Sequence, residues 1–219
     1  MKFDKINFEN LKVTPEFARL HAHICADGYL QKSTCRRPKK DLLKHPRKNV
    51  FRDVYAIRYV NMEVKLVEQF IKDVMKVFCR KVTKLRRHEY EVAGKWIYDI
   101  FKNSGALKSN NWFVPPAIMS SDDAVKKEWL KAFFDDEAYV TPKYKRIVLN
   151  IINENGLNQI QDLLEGFGIF SVINGPYKYK KYYSYHLSIL RNSIKKYFSL
   201  IGFSHPKKKR NLLELVSQM

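Results

Sequence analysis

The sequence predicts an α+β protein made of two pseudo-symmetric units, each with the element order helix-strand-strand-helix-strand-strand-helix. Two helices with acidic residues at their ends open the two units. After each of them, segments rich in β-branched and aromatic residues alternate with segments whose apolar residues recur at helical spacing. A turn-rich stretch with the pair Pro115-Pro116 separates the two series. We place the first unit at residues 1–103, the linker at 104–121, the second unit at 122–203 and a basic C-terminal tail at 204–219.

The first unit is marked by a clear helix start. A hydroxyl N-cap at Thr14, Pro15 at the first helical position and Glu16 in the first turn predict a helix that breaks at Asp27-Gly28. The elements predicted after it are a strand at 29–30, a basic loop or loosely paired hairpin at 32–52, a strand at 54–62, a helix at 63–78, a hairpin at 80–93 and a helix at 95–102.

The second unit repeats this order at shorter length. Ser120 and Asp123 resemble a capping box before its opening helix. Asn61 follows Asp27 by 34 residues, whereas Asn153 follows Glu137 by 16, and the extra length of the first unit falls in the basic segment 32–52. The predicted elements are a helix at 122–136, a strand at 146–152, a helix at 157–166, strands at 169–173 and 181–189, and a helix at 191–200.

The charge balance indicates a polyanionic partner. The 219 residues include 41 Lys and Arg against 22 Asp and Glu, a formal net charge of +19. A compact chain with this charge repels itself, and a neutral partner would not relieve that repulsion. Nucleic acid fits better than a membrane, because no run of about 18 apolar residues occurs and residues 1–8 lack the apolar core of a signal peptide. We therefore expect a cytoplasmic protein that binds nucleic acid, with Cys25, Cys35 and Cys79 as reduced thiols rather than a disulfide framework.

The two opening helices carry the residues best suited to chemistry. Ala22 and Ala26 lie four residues apart on one helix face, and with Ala132 on the other helix they allow close helix packing. Such packing brings Asp27 and Glu137 together at the helix ends. Crowded carboxylates repel each other and stay ionised only if a cation joins them. The pattern therefore indicates a divalent metal, and hard oxygen donors favour Mg²⁺.

Two nine-residue segments carry a family resemblance. Residues 20–28 (LHAHICADG) and 130–138 (LKAFFDDEA) resemble the nonapeptide that names the LAGLIDADG homing endonucleases, each with a small third residue and an acid in the eighth position. The likeness covers nearly the whole chain and points to single-chain, two-motif members of the archaeal intron or intein type. It implies a monomer that hydrolyses both strands of a long, asymmetric double-stranded DNA site with Mg²⁺ or Mn²⁺. It also implies a saddle of two antiparallel sheets with the paired helices at its centre.

The same resemblance assigns the site residues. Asp27 and Glu137 are the expected metal-binding catalytic acids, each serving one DNA strand, and the residues before them, Ala26 and Asp136, are included in the metal site. Asp136 is also expected at the helix interface beside the three alanines. The candidate catalytic lysines, one after the last helix of each unit, are Lys108 for the first unit and Lys207 or Lys208 for the second.

Basic residues recur on the predicted strands and their loops and would form a DNA-facing saddle. The repeated order matches Asn61 with Asn153, and Arg58 and Asn150 each lie three residues before these asparagines, so by duplication they match and occupy the same sheet face. Both are candidate readers of base edges. Arg58 fits a solvated strand position equally well. The predicted DNA-binding residues are Arg36, Arg37, Lys39, Lys40, Arg47, Lys48, Arg58, Lys81, Lys84, Arg86, Arg87, Lys143, Lys145, Arg146, Asn150, Lys178, Lys180 and Lys181.

Two other functions use the same features. An RNA maturase that acts on intron RNA would keep the basic saddle and the Tyr-rich run 177–185 without cutting DNA. A binding-only nucleic-acid protein would need neither helix-end acid, and the presence of both Asp27 and Glu137 disfavours it.

Overall fold

The fold consists of two units with the same topology, described by a computed structural model for residues 13–44, 49–179 and 182–219. In each unit a helix leads into a four-stranded antiparallel sheet that further helices cover. In chain order the first unit contains α1 (Pro15–Ala26), β1 (Gly28–Arg36), α2 (Lys39–Lys44), β2 (Phe51–Val60), α3 (Val64–Phe78), β3 (Thr83–Arg86), β4 (Glu89–Ala93) and α4 (Lys95–Asn103); the linker contains α5 (Pro116–Met119); and the second unit contains α6 (Asp123–Glu137), β5 (Tyr139–Thr141), β6 (Arg146–Ile151), α7 (Glu154–Gly166), β7 (Ser171–Tyr179), β8 (Tyr182–Ile189) and α8 (Ile194–Leu200), followed by α9 (Pro206–Ser217).

The two sheets have equivalent strand orders, β1-β2-β4-β3 and β5-β6-β8-β7, and all their pairings are antiparallel. In β2, Ile57 and Tyr59 are buried against the helices, while Arg58 between them faces the other side. The first sheet therefore presents Arg58 on the face away from its helices. The predicted α+β class with two αββαββα units is confirmed, and the short helices α2 and α5 are additions to it.

Helices α1 and α6 pack against each other at the junction of the units. Helix α1 begins as predicted, after the N-cap Thr14. The small residues Ala22 and Ala132 are 0% and 2% exposed, so the two helices are closely packed around them. One apolar core runs through both units, with the rings of Trp129 and Phe133 stacked within it at 5.1 Å between centroids. This shared core fixes the ends of α1 and α6 relative to each other.

The start of α6 differs from the sequence prediction. An Asp122 carboxylate oxygen accepts a hydrogen bond from the backbone N–H of Val125 at 2.9 Å, so Asp122 is the N-cap. The predicted capping box of Ser120 with Asp123 is therefore wrong. The Ser120 hydroxyl instead donates to the carbonyl of Pro116 at 2.9 Å and completes the end of α5.

The basic segment 32–52, predicted as a loop or a loosely paired hairpin, and the predicted basic tail both contain regular structure. Strands β1 and β2 pair along residues 28–36 and 51–59, so most of the basic segment forms a hairpin that carries α2 in its connection. The predicted basic tail contains α9, which packs against α8 and β5. The C-terminal segment thus extends the second unit. Among the described residues, none of the helices is both long and apolar enough to cross a bilayer.

The strand pairing gives the correspondence between the two units. Tyr29 and Tyr139 are each the second residue after the acid at the end of the opening helix. Tyr29 pairs with Arg58, and Tyr139 pairs with Val148. Arg58 in the first unit therefore corresponds to Val148 in the second, and the prediction that it matches Asn150 is wrong by two residues.

The helix starts give the same correspondence. The N-cap of α3 is Glu63 and the N-cap of α7 is Asn153, and each follows the strand residue of its unit, Arg58 or Val148, by five positions. The predicted match of the two asparagines is therefore also wrong. The residue that corresponds to Asn61 is Ile151, which is buried.

Candidate active site and nucleic-acid surface

Helix α6 ends in three consecutive acidic residues, Asp135, Asp136 and Glu137, whose side chains contact three different parts of the protein. Successive side chains on a helix diverge by about 100°. Asp135 accepts hydrogen bonds from the backbone N–H groups of Ser204 and His205, both at 2.9 Å, and so ties α6 to the segment before α9. The side chain of Asp136 contacts the first unit, and that of Glu137 interacts with Asp27 at the end of α1.

Asp136 anchors α6 to the first unit through a buried network. One carboxylate oxygen lies 2.7 Å from Nδ1 of His23, and the other accepts hydrogen bonds from the Tyr59 hydroxyl at 2.8 Å and the Asn61 amide at 3.1 Å. The carboxylate of Asp136 is 0% exposed. Burial disfavours the charged imidazole, but the charge of Asp136 outweighs this and raises the pKa of His23. The pair therefore forms an ion pair across the α1–α6 interface.

Asp27 lies beside this network, because the Asn61 amide that donates to Asp136 also donates to Asp27, and both Asp27 and Glu137 are half-buried. Burial, and then the charge of Asp136, raise the pKa of Asp27 to about 6. Burial, and then the charges of Asp27 and Asp136, raise the pKa of Glu137 to about 7. The two acids are thus close enough to repel each other, as the sequence analysis predicted for paired helix ends.

Lys208 is the cation beside these acids. Its Nζ donates to the backbone carbonyls of Phe134, Asp135 and Asp136 at 3.1, 2.6 and 2.9 Å, so it satisfies the last carbonyl groups of α6. Its charge lowers the pKa of both Asp27 and Glu137, although not enough to offset burial.

The same contacts decide between the two lysines that the sequence left as alternatives. Lys208 faces the site, whereas Lys207 is exposed. The contacts also bear on Asp136, whose carboxylate and carbonyl already have partners within the protein. This geometry disfavours Asp136 as a metal ligand.

The remaining donors fit a hard divalent cation. Asp27 and Glu137 supply carboxylate oxygens whose mutual repulsion a cation would relieve, and Mg²⁺ commonly takes one or two carboxylates while keeping several waters. No group of three or more His, Cys, Asp or Glu residues that could hold a metal occurs within the described ranges. A metal here would therefore complete its coordination with water and phosphate oxygens, and Ala26, at the end of α1, stays a predicted contributor.

The site geometry and the fold agree with comparisons to known proteins. Residues 124–202 match a family model described as a LAGLIDADG-like domain. The resemblance predicted from the two nonapeptides is thereby confirmed, and the chain as a whole has the two-unit LAGLIDADG fold.

Solved structures cover both units. Variants of the homing endonuclease I-DmoI match with a TM-score of 0.65 and 18% identity, over 92% of this chain and 98% of theirs. I-DmoI in complex with DNA and Mn matches with a TM-score of 0.62 and 18% identity, over 87% and 97%. Full-length DUF199/WhiA from Thermatoga maritima matches with a TM-score of 0.52 and 14% identity, over 94% and 61%. At sequence identities this low, these structural matches show a shared fold and nothing more.

One curated protein is similar in sequence. A DNA polymerase of Thermococcus litoralis is 26% identical over 162 residues, which are 74% of this chain. The chain spans only 9% of the length of that polymerase.

The packing of α1 on α6 also gives a role to three residues that the sequence patterns did not assign. His23, Tyr59 and Asn61 all bind Asp136, and their one shared signal is a hydrogen-bonding group next to a helix or strand end. His21, by contrast, is a structural residue. Its Nε2 lies 2.9 Å from the carbonyl of Ser104 and its Nδ1 accepts from the Trp129 indole. Burial lowers the pKa of His21 to about 4, although the contact with Ser104 opposes this.

Several predicted DNA-binding residues have other partners. Arg58 donates to Glu91 at 2.8 Å and to Glu89 at 3.2 Å, which neutralises its charge on the open face of the first sheet. Lys84 lies over the ring of Tyr90 at 5.9 Å, on the side of the sheet covered by helices. Lys145 donates to the carbonyl of Gln218 at 3.2 Å. The saddle prediction needs correction at Lys84, because this strand position points away from the open face.

Most of the other predicted positions that the structure describes are exposed to solvent. Asn150 is exposed on the open face of β6, and Lys108 is exposed on a cleft that Cys25 and Gly28 also line. Arg37 donates to the carbonyl of Asn49 at 2.9 Å. The exposed basic positions are Arg36, Lys39, Lys40, Lys81, Arg86, Arg87, Lys143, Arg146 and Lys178, while Arg47, Lys48, Lys180 and Lys181 lie outside the described residues.

Proposed function

We propose that this chain is a site-specific double-strand DNA endonuclease that depends on Mg²⁺ or Mn²⁺. The observation that carries the proposal is the convergence of Asp27 and Glu137, one from each of the two packed helices, at a site where burial and the charges of neighbouring carboxylates raise both pKa values. Strongly perturbed acids that share a site are typical of functional centres.

The side chains around the acids suit phosphodiester hydrolysis. Asp27 and Glu137 would hold the metal, and the Lys208 amine lies beside them against the last carbonyls of α6. When bound, Mg²⁺ or Mn²⁺ would lower the pKa of an attacking water and neutralise the charge that develops on the phosphate. The packed helix ends bring the two carboxylates to one place, and such positioning of the reacting groups is what in-line attack requires.

The proposed substrate is a long and asymmetric duplex. The basic residues on the open side of both sheets would contact phosphates, and their number predicts affinity that falls steeply with salt. The two sheets differ in which strands are long. Strands β1 and β2 have 9 and 10 residues where β5 and β6 have 3 and 6, whereas β7 and β8 have 9 and 8 where β3 and β4 have 4 and 5. A single chain that carries both acids would act as a monomer and read unlike half-sites.

A library of randomised duplex sites tests the proposal and identifies the target in the same experiment. Plasmids carrying these sites are incubated with the protein and Mg²⁺, Mn²⁺ or EDTA, and the cut ends are captured by adaptor ligation and sequenced. We expect one extended consensus site, with cutting in either metal and none in EDTA.

Charge-removing variants locate the chemistry. We expect Asp27→Asn and Glu137→Gln each to reduce double-strand cutting at least about 100-fold, because each removes an oxygen ligand at the site of charge development. The matched control is Glu165→Gln, which removes an exposed acid of α7. Undiminished cutting in both site variants would defeat the assignment. Specific RNA binding with no DNA cutting would favour the maturase instead.

A further inference from the structure

Asp27 and Glu137 are held by unequal surroundings. The Asp27 carboxylate accepts a hydrogen bond from Nδ2 of Asn61 at 3.0 Å. Among the described residues, no side chain forms a hydrogen bond with the carboxylate of Glu137, whose pKa responds only to burial and to nearby charges. We propose that Asn61 is a positioning residue for Asp27, and that the two DNA strands are therefore cut with different dependence on it. This inference rests on the proposed function.

The orientation of the Asn61 amide is fixed by the backbone. Its Oδ1 accepts the N–H of Glu63 at 2.9 Å, and a backbone N–H can only donate. The NH₂ group must therefore point to the carboxylates. The backbone N–H of Asn61 also donates to the carbonyl of His88 at 3.0 Å, which fixes the residue between β2 and β4.

The amide joins Asp27 to a rigid anchor. The same Nδ2 donates to Asp136 at 3.1 Å, and Asp136 is itself held by His23 and Tyr59 in the buried helix interface. The backbone of Asp27 is fixed as well, because its carbonyl accepts the N–H of Val60 at 3.0 Å. One oxygen of the Asp27 carboxylate is thus committed to Asn61, which restricts rotation and sets the direction of the other oxygen.

The second unit has no counterpart of this amide. The residue that corresponds to Asn61 is Ile151, a buried apolar side chain that cannot donate a hydrogen bond. Asn153, the nearest asparagine, donates to the carbonyl of Trp112 at 2.6 Å and accepts the N–H of Gly156 at 3.1 Å, so it caps α7 instead. Glu137 also has one more rotatable bond than Asp27. The chain therefore orients one acid and leaves the other adjustable.

Two substitutions separate positioning from folding. Asn61→Asp keeps an oxygen for the Glu63 N–H but removes the donor to Asp27, and Asn61→Ala removes the donor without adding charge. The matched control is Asn153→Asp, the same change at the strand-to-helix junction of the second unit, where Asp is a good N-cap. Rates are measured on each end-labelled strand of the selected target, and unfolding is followed by circular dichroism.

We expect both Asn61 variants to slow one strand about 10-fold relative to the other, because the partner of a metal-binding residue commonly contributes 10- to 100-fold to activity or affinity. Nicked plasmid should accumulate. Asn153→Asp should leave the ratio of the two strand rates unchanged even if it lowers the melting temperature. Equal slowing of both strands, or an unchanged ratio, would overturn the proposal.

A metal titration keeps this test separate from the test of the function. Mn²⁺ binding to the protein alone, measured by electron paramagnetic resonance, should weaken about 10-fold in Asn61→Ala and stay unchanged in Asn153→Asp. If the wild-type protein cuts no DNA but binds Mn²⁺ more tightly than Asn61→Ala does, the endonuclease proposal fails while the role of Asn61 stands. Equal Mn²⁺ affinity in the wild-type protein and both Asn61 variants contradicts the role of Asn61 whether or not DNA is cut.

Discussion

The end of α1 and the end of α6 carry the same kind of acid but support it differently. Asp27 is held through its backbone by Val60 and through its side chain by Asn61. Glu137 is held by its helix and by the positive charge of Lys208. The difference shows that a duplicated motif can keep the acids while the contacts around them diverge. It also shows that the first unit depends on a residue of the second, because Asp136 completes the network behind Asp27.

The largest expected effect is the loss of that shared network. Asp136→Ala would leave His23, Tyr59 and Asn61 without their common acceptor in a buried interface. Breaking a buried pair of this kind costs about 3–5 kcal/mol. We expect a loss of that size in the free energy of unfolding measured in urea. Asp123→Ala, at an exposed position in the first turn of the same helix, is the control, and an equal loss in both variants would contradict the role of Asp136.

The next effect concerns Glu137 and pH. The pKa of its carboxyl rises from an ordinary 4.5 to about 7 in the folded chain, so the native state holds this proton more tightly than the unfolded state. The stability it contributes is complete below about pH 4.5 and is lost as the pH rises through about 7. Glu137→Gln, which stays neutral, should match the wild-type protein near pH 4.5 and exceed it by on the order of 2 kcal/mol near pH 8 without metal.

This effect is measured by thermal unfolding in EDTA across that range. Added Mg²⁺ should reduce the difference, because a bound cation stabilises the ionised acids of the wild-type protein. Glu165→Gln controls for the loss of one negative charge elsewhere. A stability difference that is the same at both pH values would refute the assigned burial of the Glu137 charge.

The smallest expected effect comes from Lys208. Lys208→Ala would remove the cation from the last carbonyls of α6, a contribution of about 1–2 kcal/mol for a partly buried site. It should also raise the pKa of Asp27 and Glu137 further, because the charge of Lys208 lowers both. Chemical denaturation compares it with Lys207→Ala, whose exposed side chain should contribute little. Equal losses of unfolding free energy in the two variants would show that the contacts of Lys208 with the last carbonyls of α6 do not contribute to stability.

The sequence carried enough information for the fold and the central acids. Helix starts, the repeated element order and the small residues at Ala22 and Ala132 predicted the two units and their packed helices. These features are local, since each depends on spacing within one segment. The match of Asn61 with Asn153 was wrong, because it relied on residue identity, whereas strand pairing and helix caps set the true offset of two positions.

The contacts of Asp136 and Lys208 near the two acids could not be predicted from local sequence patterns, because they depend on tertiary packing. His23 and Asp136 are 113 positions apart, and only the packing of α1 on α6 makes them partners. Lys207 and Lys208 differ by one helical step, so the start of α9 decides which of them faces the site. Arg58 looked available for DNA until strand pairing placed Glu91 beside it. Charge counted along a chain does not show which cations are already neutralised.

The ion pair between His23 and Asp136 has a consequence for how such a chain could assemble. Two copies of the first unit, joined through α1, would place a histidine where the carboxylate belongs, and two copies of the second unit, joined through α6, would bring two buried carboxylates together. Each fragment would therefore favour its unlike counterpart over itself. This difference in charge at the contact between α1 and α6 therefore favours the pairing of unlike halves over a symmetric pairing of either half with itself.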